Sequence, residues 1–301
     1  IILTEYKEAE SVSAWGGEDN VPPVYGKVFI SIKPKATDSL SPPQKDFIKN
    51  SILKSKNVVS ITPEIVDPSY IDIEVSTTVY YNSKVTNKGE NDIKNLVIDS
   101  IRNYANDYLE SFGGVLRYSK FTSMVDDTDP SIVSNITTIK LHRLIEPIYN
   151  VSSQYKIELG NPIHCSGYPE ESILSNGFYI TDYDFVVYTE DLPTNTETGI
   201  MRLFYYDTDL TKKYLSKNGQ TSIGDVNYTT GSIQLNNLTI VGLEGQIFEL
   251  VIKPKSNDVI SVRNQVLKMS DDKITVNVVI DKIASGDSAG NANYVFTTSR
   301  S

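Results

Sequence analysis

The stretch from Tyr70 to Tyr81 leaves least freedom to any fold that contains it. Ile71, Ile73, Val75, Thr77, Val79 and Tyr81 alternate with Asp72, Glu74, Ser76, Thr78 and Tyr80. A period of two puts every apolar side chain on one face of an extended strand, and a slip of one residue would turn the whole set to water. The chain therefore needs a sheet with a packed face and an amphipathic element to cover it. That element follows directly. Ile93, Leu96, Val97, Ile101, Tyr104, Ala105, Tyr108 and Phe112 keep three-to-four spacing, which predicts a helix over residues 92–112 ended by Gly113-Gly114.

Upstream, Trp15-Gly16-Gly17-Glu18-Asp19-Asn20 reads as a loop that delivers a strand. In that strand Val28, Ile30 and Ile32 alternate with Phe29, Ser31 and Lys33, and Lys33-Pro34 closes it in the manner of an edge strand. A Gly-Gly-acid loop is able to cradle a ligand; a structural turn is the simpler reading. Ser41-Pro42-Pro43-Gln44 has the pattern of a capping box, with Phe47, Ile48, Ile52 and Leu53 as the apolar side of the helix it opens. A short strand over Ile61 to Val66 stops at Asp67-Pro68. After the long helix come a short one near Tyr118 to Val125, a turn at Asp126 to Pro130 and a strand over Ile136 to Leu144. The order β-α-β-β-α-β predicts an α+β layer of the split βαβ, ferredoxin-like kind over residues 1–147.

Past Glu146-Pro147 the texture changes, and 301 residues are enough for a second domain. Residues 148–301 are expected to form a β-rich interaction domain, a sandwich or open barrel. Its strands are expected at 155–159, 177–181, 185–189, 200–206, 226–228, 232–235, 247–253 and 274–281. Tyr228-Thr229-Thr230-Gly231 predicts a hairpin with Gly231 at positive φ. Ile32-Lys33-Pro34-Lys35 recurs as Ile252-Lys253-Pro254-Lys255, read as two edge strands stopped alike. The Gly/Ser/Asn-rich tail from Ser285 to Ser301 is expected to fray or lie along a partner.

Chemistry finds little to work with. His142 alternates with Lys140 toward the expected solvent side, and His164 and Cys165 are neighbours whose side chains point apart on extended chain. Asp126-Asp127-Thr128-Asp129 lacks the glycine and distal glutamate of an EF-hand loop. It and Asp182/Asp184 read as solvated turn carboxylates, and the adjacent Glu170-Glu171 rarely reach the separation that a glycosidase pair needs. No phosphate-binding loop, nucleophile elbow or dinucleotide fingerprint is present. No catalytic, metal or cofactor-binding residue is therefore assigned, and no small-molecule substrate. With 28 basic against 38 acidic residues the net charge is −10, the wrong sign for nucleic acid. One cysteine makes no intrachain disulfide. No apolar run reaches the length of about 18 residues that a membrane helix needs. The start at Ile1-Ile2-Leu3, without Met, suggests part of a longer polypeptide. Nineteen Tyr against nine Phe suit half-buried sheet faces and protein interfaces.

The segment from Trp15-Gly16-Gly17-Glu18-Asp19-Asn20 through Tyr25-Gly26-Lys27-Val28-Phe29-Ile30-Ser31-Ile32-Lys33-Pro34 resembles the baseplate wedge proteins of T-even-type contractile-tail bacteriophages, within the broader baseplate-J-like family. Val66-Asp67-Pro68, the run Asp127 to Asn135, Ile145-Glu146-Pro147, Asn161-Pro162-Ile163 and the run Gly224 to Gly231 are similar to it as well. The likeness covers most of the chain and thins after about Leu250; the family protein is longer, so this chain would be its C-terminal portion. The resemblance implies a structural, non-enzymatic late virion protein of the tail baseplate, assembled in the host cytoplasm. It implies homodimers linked into a ring around the tail tube, contacts with other wedge proteins, and rearrangement on sheath contraction. A tail module that binds a host-surface glycan through Tyr205 and Tyr206 is the alternative, and a glycan hydrolase using two carboxylates a third.

Overall fold

The computed structural model describes residues 1–20, 22–54, 61–167, 170–181, 183–216 and 221–286. Its first 66 residues build a small unit of their own. Helix α1 (Ile2–Glu5) leads into β1 (Ala9–Gly16), which pairs antiparallel with β2 (Lys27–Pro34). Helix α2 (Pro42–Phe47) starts at the expected capping box, where the Gln44 side-chain oxygen accepts from Ser41 N–H at 2.9 Å, and the chain winds on as a π-type turn to Leu53. Strand β3 (Thr62–Val66) then returns parallel to β2. Ile2, Tyr6, Ile30, Ile32, Leu40, Ile48 and Ile52 form this unit's core. Two expectations change. Trp15 belongs to a strand, not a loop, and stacks on Phe29 at 5.8 Å across the β1–β2 ladder. Strand β2 is central rather than an edge, because β1 occupies one side and β3 the other.

The alternating stretch is the spine of the main unit. In β4 (Ser69–Tyr81) Ile71, Ile73, Val75, Thr77, Val79 and Tyr81 are all buried, as the period requires. Helix α3 (Glu90–Tyr108) turns Ile93, Val97, Ile101, Tyr104 and Ala105 onto that core. It stops four residues early, because the N-terminal unit takes up the groups that follow it: Phe112 N–H donates to Ser11 Oγ and Lys33 Nζ to Glu110 O. After β5 (Val115–Leu116) and α4 (Tyr118–Asp126), strand β6 (Ile132–Ile145) pairs antiparallel with β4 from Tyr81↔Ile132 to Asp72↔His142.

The expected single ferredoxin-like sheet is not what forms. Strands β2 and β3 lie in the three-stranded sheet, β4 and β6 in another of twelve strands. The twelve-stranded sheet takes in much of the second half of the chain. Beyond residue 150 run β7 (Ser153–Glu158), β8 (Ile173–Ser175), β9 (Phe178–Ile180), β10 (Tyr188–Pro193), β11 (Thr198–Tyr206) and β12 (Lys212–Tyr214). They continue as β13 (Ser222–Asn227), β14 (Ser232–Leu238), β15 (Ile240–Leu243), β16 (Phe248–Ile252), β17 (Val259–Ile260), β18 (Gln265–Lys268) and β19 (Ile274–Ile280). The sheet order is β18-β4-β6-β16-β8-β10-β11-β13-β14-β7, with β12 beside β11 and β19 beside β4. Residues on both sides of Glu146-Pro147 thus share one sheet and one apolar core, through β6–β16. Strands β18 and β19 come back from the far end of the chain to lie parallel to β4. Those pairings join residues about 200 apart, which local periodicity does not encode.

The β13–β14 hairpin forms as expected. Gly231 has φ +71°, and a Cβ there would lie 2.0 Å from Asn161 O. The repeated Ile-Lys-Pro-Lys segments close β2 and β16, both interior strands, so edge protection does not explain them. In each the proline stands at or beyond the last ladder position, where its missing N–H is tolerated. Of the tail, residues 287–301 lie outside the described residues.

Candidate functional site

His142 is the residue whose surroundings depart most from expectation. It is buried, not solvent-facing, because charged side chains from β4, β16 and the turn before β19 close over it. Its Nε2 lies 2.7 Å from Glu74 Oε2 and its Nδ1 2.7 Å from Glu249 Oε1. Lys273 Nζ donates to Glu249 Oε1 at 2.7 Å, and Lys140 Nζ to Glu74 Oε1 at 3.2 Å. The hydrogen bond from His142, helped by Lys273, holds the Glu249 carboxyl down at about 2. At Glu74 burial works the other way, and the hydrogen bonds from His142 and Lys140 outweigh it, leaving the carboxyl below its usual range. Both ring nitrogens are occupied by carboxylates that are themselves held by lysines. The group is a cross-link between β4, β6 and β16, without a free base turned toward a substrate.

A second closed cluster sits across β10. Glu190 Oε1 accepts from Arg202 Nη2 at 2.7 Å and Nε at 3.0 Å, and Oε2 from Lys212 Nζ at 2.7 Å. The Arg202 guanidinium lies 3.9 Å over the Tyr214 ring. The next residue, Asp191, faces the opposite side of the sheet. Its Oδ1 accepts from Ser172 N and Ile173 N, its Oδ2 from Tyr228 Oη at 2.6 Å. Burial, with Asp191 beside it, pushes the Tyr228 phenol far above its usual value. Both carboxylates are taken up by donors from neighbouring strands and turns.

The remaining candidates scatter. His164 is exposed, and Cys165 is a half-buried free thiol. Asp126 accepts from Asn135 Nδ2 at 2.7 Å, and buried Asp129 takes Ser131 N, Ser131 Oγ and Lys88. Burial raises Asp129, but the Lys88 and Ser131 bonds overcome it and bring the carboxyl to about 2. Each acid has its own partner, and no set of three or more His, Cys, Asp or Glu converges for a metal among the described residues. Glu170 is open to solvent, and Glu171 lies 3.5 Å from Lys212. Asp184 is exposed, and Asp182 lies outside the described residues. Tyr81 and Tyr104 are core, while Tyr80 and Tyr205 are half-buried and Tyr108 and Tyr206 exposed. Among the described residues no helix is long and apolar enough to cross a membrane.

What the fold does build is a polar seam between its two units. Lys33, buried on β2, donates to Glu10 Oε2 at 2.8 Å and across the seam to Glu110 O at 2.7 Å. Ser13 Oγ donates to Arg263 O at 2.9 Å, and Tyr70 Oη to Asp38 O at 2.8 Å. The Trp15–Asn20 segment completes it. Trp15 Nε1 donates to Asn20 Oδ1, Val24 N–H to Gly17 O, and Arg263 reaches back to Asp19 O. Gly17 is required there, since a Cβ would come 1.9 Å from Val24 O. Beside it opens a cleft of about 720 Å³ between Asp19, Asn20, Pro22 and Val24 on one side and Lys156, Glu158, Gly160, Val262 and Arg263 on the other. Sequence reasoning missed Lys33 as a docking residue. Its signal was a lone lysine on a strand whose other residues become buried.

Residues 69–144 match the family described as baseplate structural protein gp6, C-terminal domain III, and residues 1–66 match the same protein's C-terminal domain I. The break between the two matches falls where the two cores part. The chain is 30% identical over 208 residues to the baseplate wedge protein gp6 of Enterobacteria phage T4, a stretch that covers 67% of this chain and 29% of that protein. The chain therefore spans under a third of that relative's length.

Proposed function

We propose that this chain is the C-terminal portion of a baseplate wedge protein of a contractile phage tail, and with it part of the broader baseplate-J-like family. The similarity to T4 gp6, which runs through both cores, carries the reading. In it the chain works by fitting against neighbours, not by turning over a molecule; the closed state of the His142 and Glu190 clusters supports this. Copies dimerise and link wedges into a ring around the tail tube, touching other wedge proteins, with residues 148–301 supplying much of the interaction surface. The particle's tail baseplate is the location, after assembly in the host cytoplasm. The ring rearranges on sheath contraction. A two-core build suits that step, because a seam made of hydrogen bonds and one buried lysine separates at lower cost than a shared apolar core. Electron cryomicroscopy of tails carrying this chain tests the reading: density for it in a ring at the baseplate is expected, and density only in the sheath or the tube refutes it.

A second reading, a glycan-binding tail module, is favoured by one feature. Tyr183, Phe185 and Tyr205 follow one another in tilted ring contacts at 5.3 and 4.4 Å, while exposed Tyr206 stands on the other face of β11 against Tyr188 and Phe204. Glycan-array binding that disappears when Tyr205 and Tyr206 are replaced by Ala would favour it; an array without signal removes it.

A further inference from the structure

Among the described residues, strand β19 has a neighbour on one side only. It runs parallel to β4 from Ile274↔Val75 to Ile280↔Tyr81, and Asp281 N–H continues that ladder onto Tyr81 O at 2.8 Å. Alternation then turns the backbone groups of the odd-numbered residues toward β4, and those of Val276, Val278 and Ile280 away from the sheet. Among the described residues no backbone group meets them.

Natural sheets protect such an edge with charge, proline, a bulge or a covering segment. Strand β19 reads Ile-Thr-Val-Asn-Val-Val-Ile in unbroken register, with none of the first three. The sheet face beside it is also without charge. Thr275, Asn277 and Val279 lie in register with Ser76, Thr78 and Tyr80 of β4, all exposed or half-exposed.

The strand is also complementary to itself. Counting outward from Asn277, Val276 answers Val278 and Ile274 answers Ile280. Antiparallel pairing of two copies about a two-fold axis through Asn277 sets each of these against its counterpart. The matched ladder ends there, since Asp272 lies in the short helical turn before the strand and Lys282 in the turn after it. Lys273 and Asp281, the intervening pair, are already held by Glu249 and by the turn amides of Ile283 and Ala284. The register is also the right kind for the backbone: even-numbered residues, whose amides point outward, face even-numbered residues of the copy.

We propose that this edge is where copies of the chain join, their β19 strands pairing antiparallel about Asn277 so that one sheet continues into the next. The inference rests on the self-association proposed above and gives it a place. Residues facing each other without backbone bonds stand with Cα atoms about 4.5 Å apart, within the span of a disulfide. The two Asn277 positions are such a pair. The two Thr275 positions would be about 14 Å apart, four residues along the strand, and out of reach. In full-length chains with Cys165→Ser, mild oxidation is expected to convert Asn277→Cys into a reducible dimer and to leave Thr275→Cys monomeric. Asn277→Lys, which sets like charges opposite each other, is expected to weaken dimerisation at least tenfold by sedimentation. A wild-type dimer that Asn277→Lys leaves intact, without linkage through Asn277→Cys, overturns the location while self-association stands. A wild-type chain monomeric at every concentration overturns both. Slow amide exchange at Val276 and Val278 in that monomer would give the edge to residues 287–301 of the same chain.

Discussion

Replacing Lys33 by Met tests how the two units are held together. The lysine is 7% exposed, and its ammonium ties β2 to Glu10 within its own unit and to the Glu110 carbonyl across the seam. Breaking a buried ion pair costs about 3–5 kcal/mol when the partner is left dry and unpaired. That is too much here, because the Glu10 and Glu110 side chains keep 37% and 30% exposure and can turn to water. Methionine retains the apolar stem, so packing changes little. The group left behind is the partly buried Glu110 carbonyl, and an unsatisfied acceptor cut off from water costs about 1–3 kcal/mol. A loss of about 2 kcal/mol is expected, confined to docking, or roughly a thirtyfold shift at 1.4 kcal/mol per tenfold. Hydrogen exchange by mass spectrometry reads it. The Phe112 amide, bonded to Ser11 Oγ across the same seam, should exchange about thirty times faster, with β4 and β6 unchanged. Lys27→Met is the control: its partner Glu64 and the lysine are both about two-fifths exposed, and such pairs contribute about 0–1 kcal/mol. Unchanged exchange at Phe112, or equal loss of protection across the large sheet, would refute the argument.

Tyr228→Phe removes the phenol hydrogen bond to buried Asp191 and should lower stability by about 1.5–3 kcal/mol in urea unfolding, the range for bonds to charged groups; a change under about 0.5 kcal/mol contradicts that role. Gly231→Ala and Gly26→Ala separate strain from collision. Both positions have positive φ, costing about 1–2 kcal/mol, but only at Gly231 would the new Cβ strike backbone, so its fall in Tm should be clearly the larger. The Glu249 carboxyl, held at about 2 in the fold, contributes stability that is complete above the ordinary carboxylate range and is lost as pH falls from about 5 toward 2. Glu249→Gln should therefore destabilise at pH 7 and show a shallower decline over that window; parallel stability–pH curves for the two proteins would argue against it.

Much of the secondary structure is legible in the sequence. The β4 alternation, the α3 stripe, the Ser41–Gln44 cap and the Gly231 turn are all local patterns, each written within one to four turns of chain. The fate of Lys33 and His142 was not. Both stand at alternating positions that on one isolated strand would face water, and both are buried because elements far along the chain arrive to cover them: Glu110 after α3, and Glu249 and Lys273 from β16 and the turn before β19. Reading β2 as an edge failed for a related reason, since neither the run of residues 9–16 nor the return of β3 announces which side of β2 it takes.

The sequence alone determined which residues are apolar and at what period, and hence which segments form strands and helices and which of their faces are buried. It also determined the charge balance and the scarcity of histidine and cysteine that leave little material for catalysis. Only the tertiary structure decided which strands share a sheet, where one core ends and the next begins, and which strand stands at the sheet's edge among the described residues. Hydrophobic burial is indifferent to the identity of its partner, so period selects the face. The choice of partner comes from loop closure and ladder register between residues as far apart as Ile71 and Leu267.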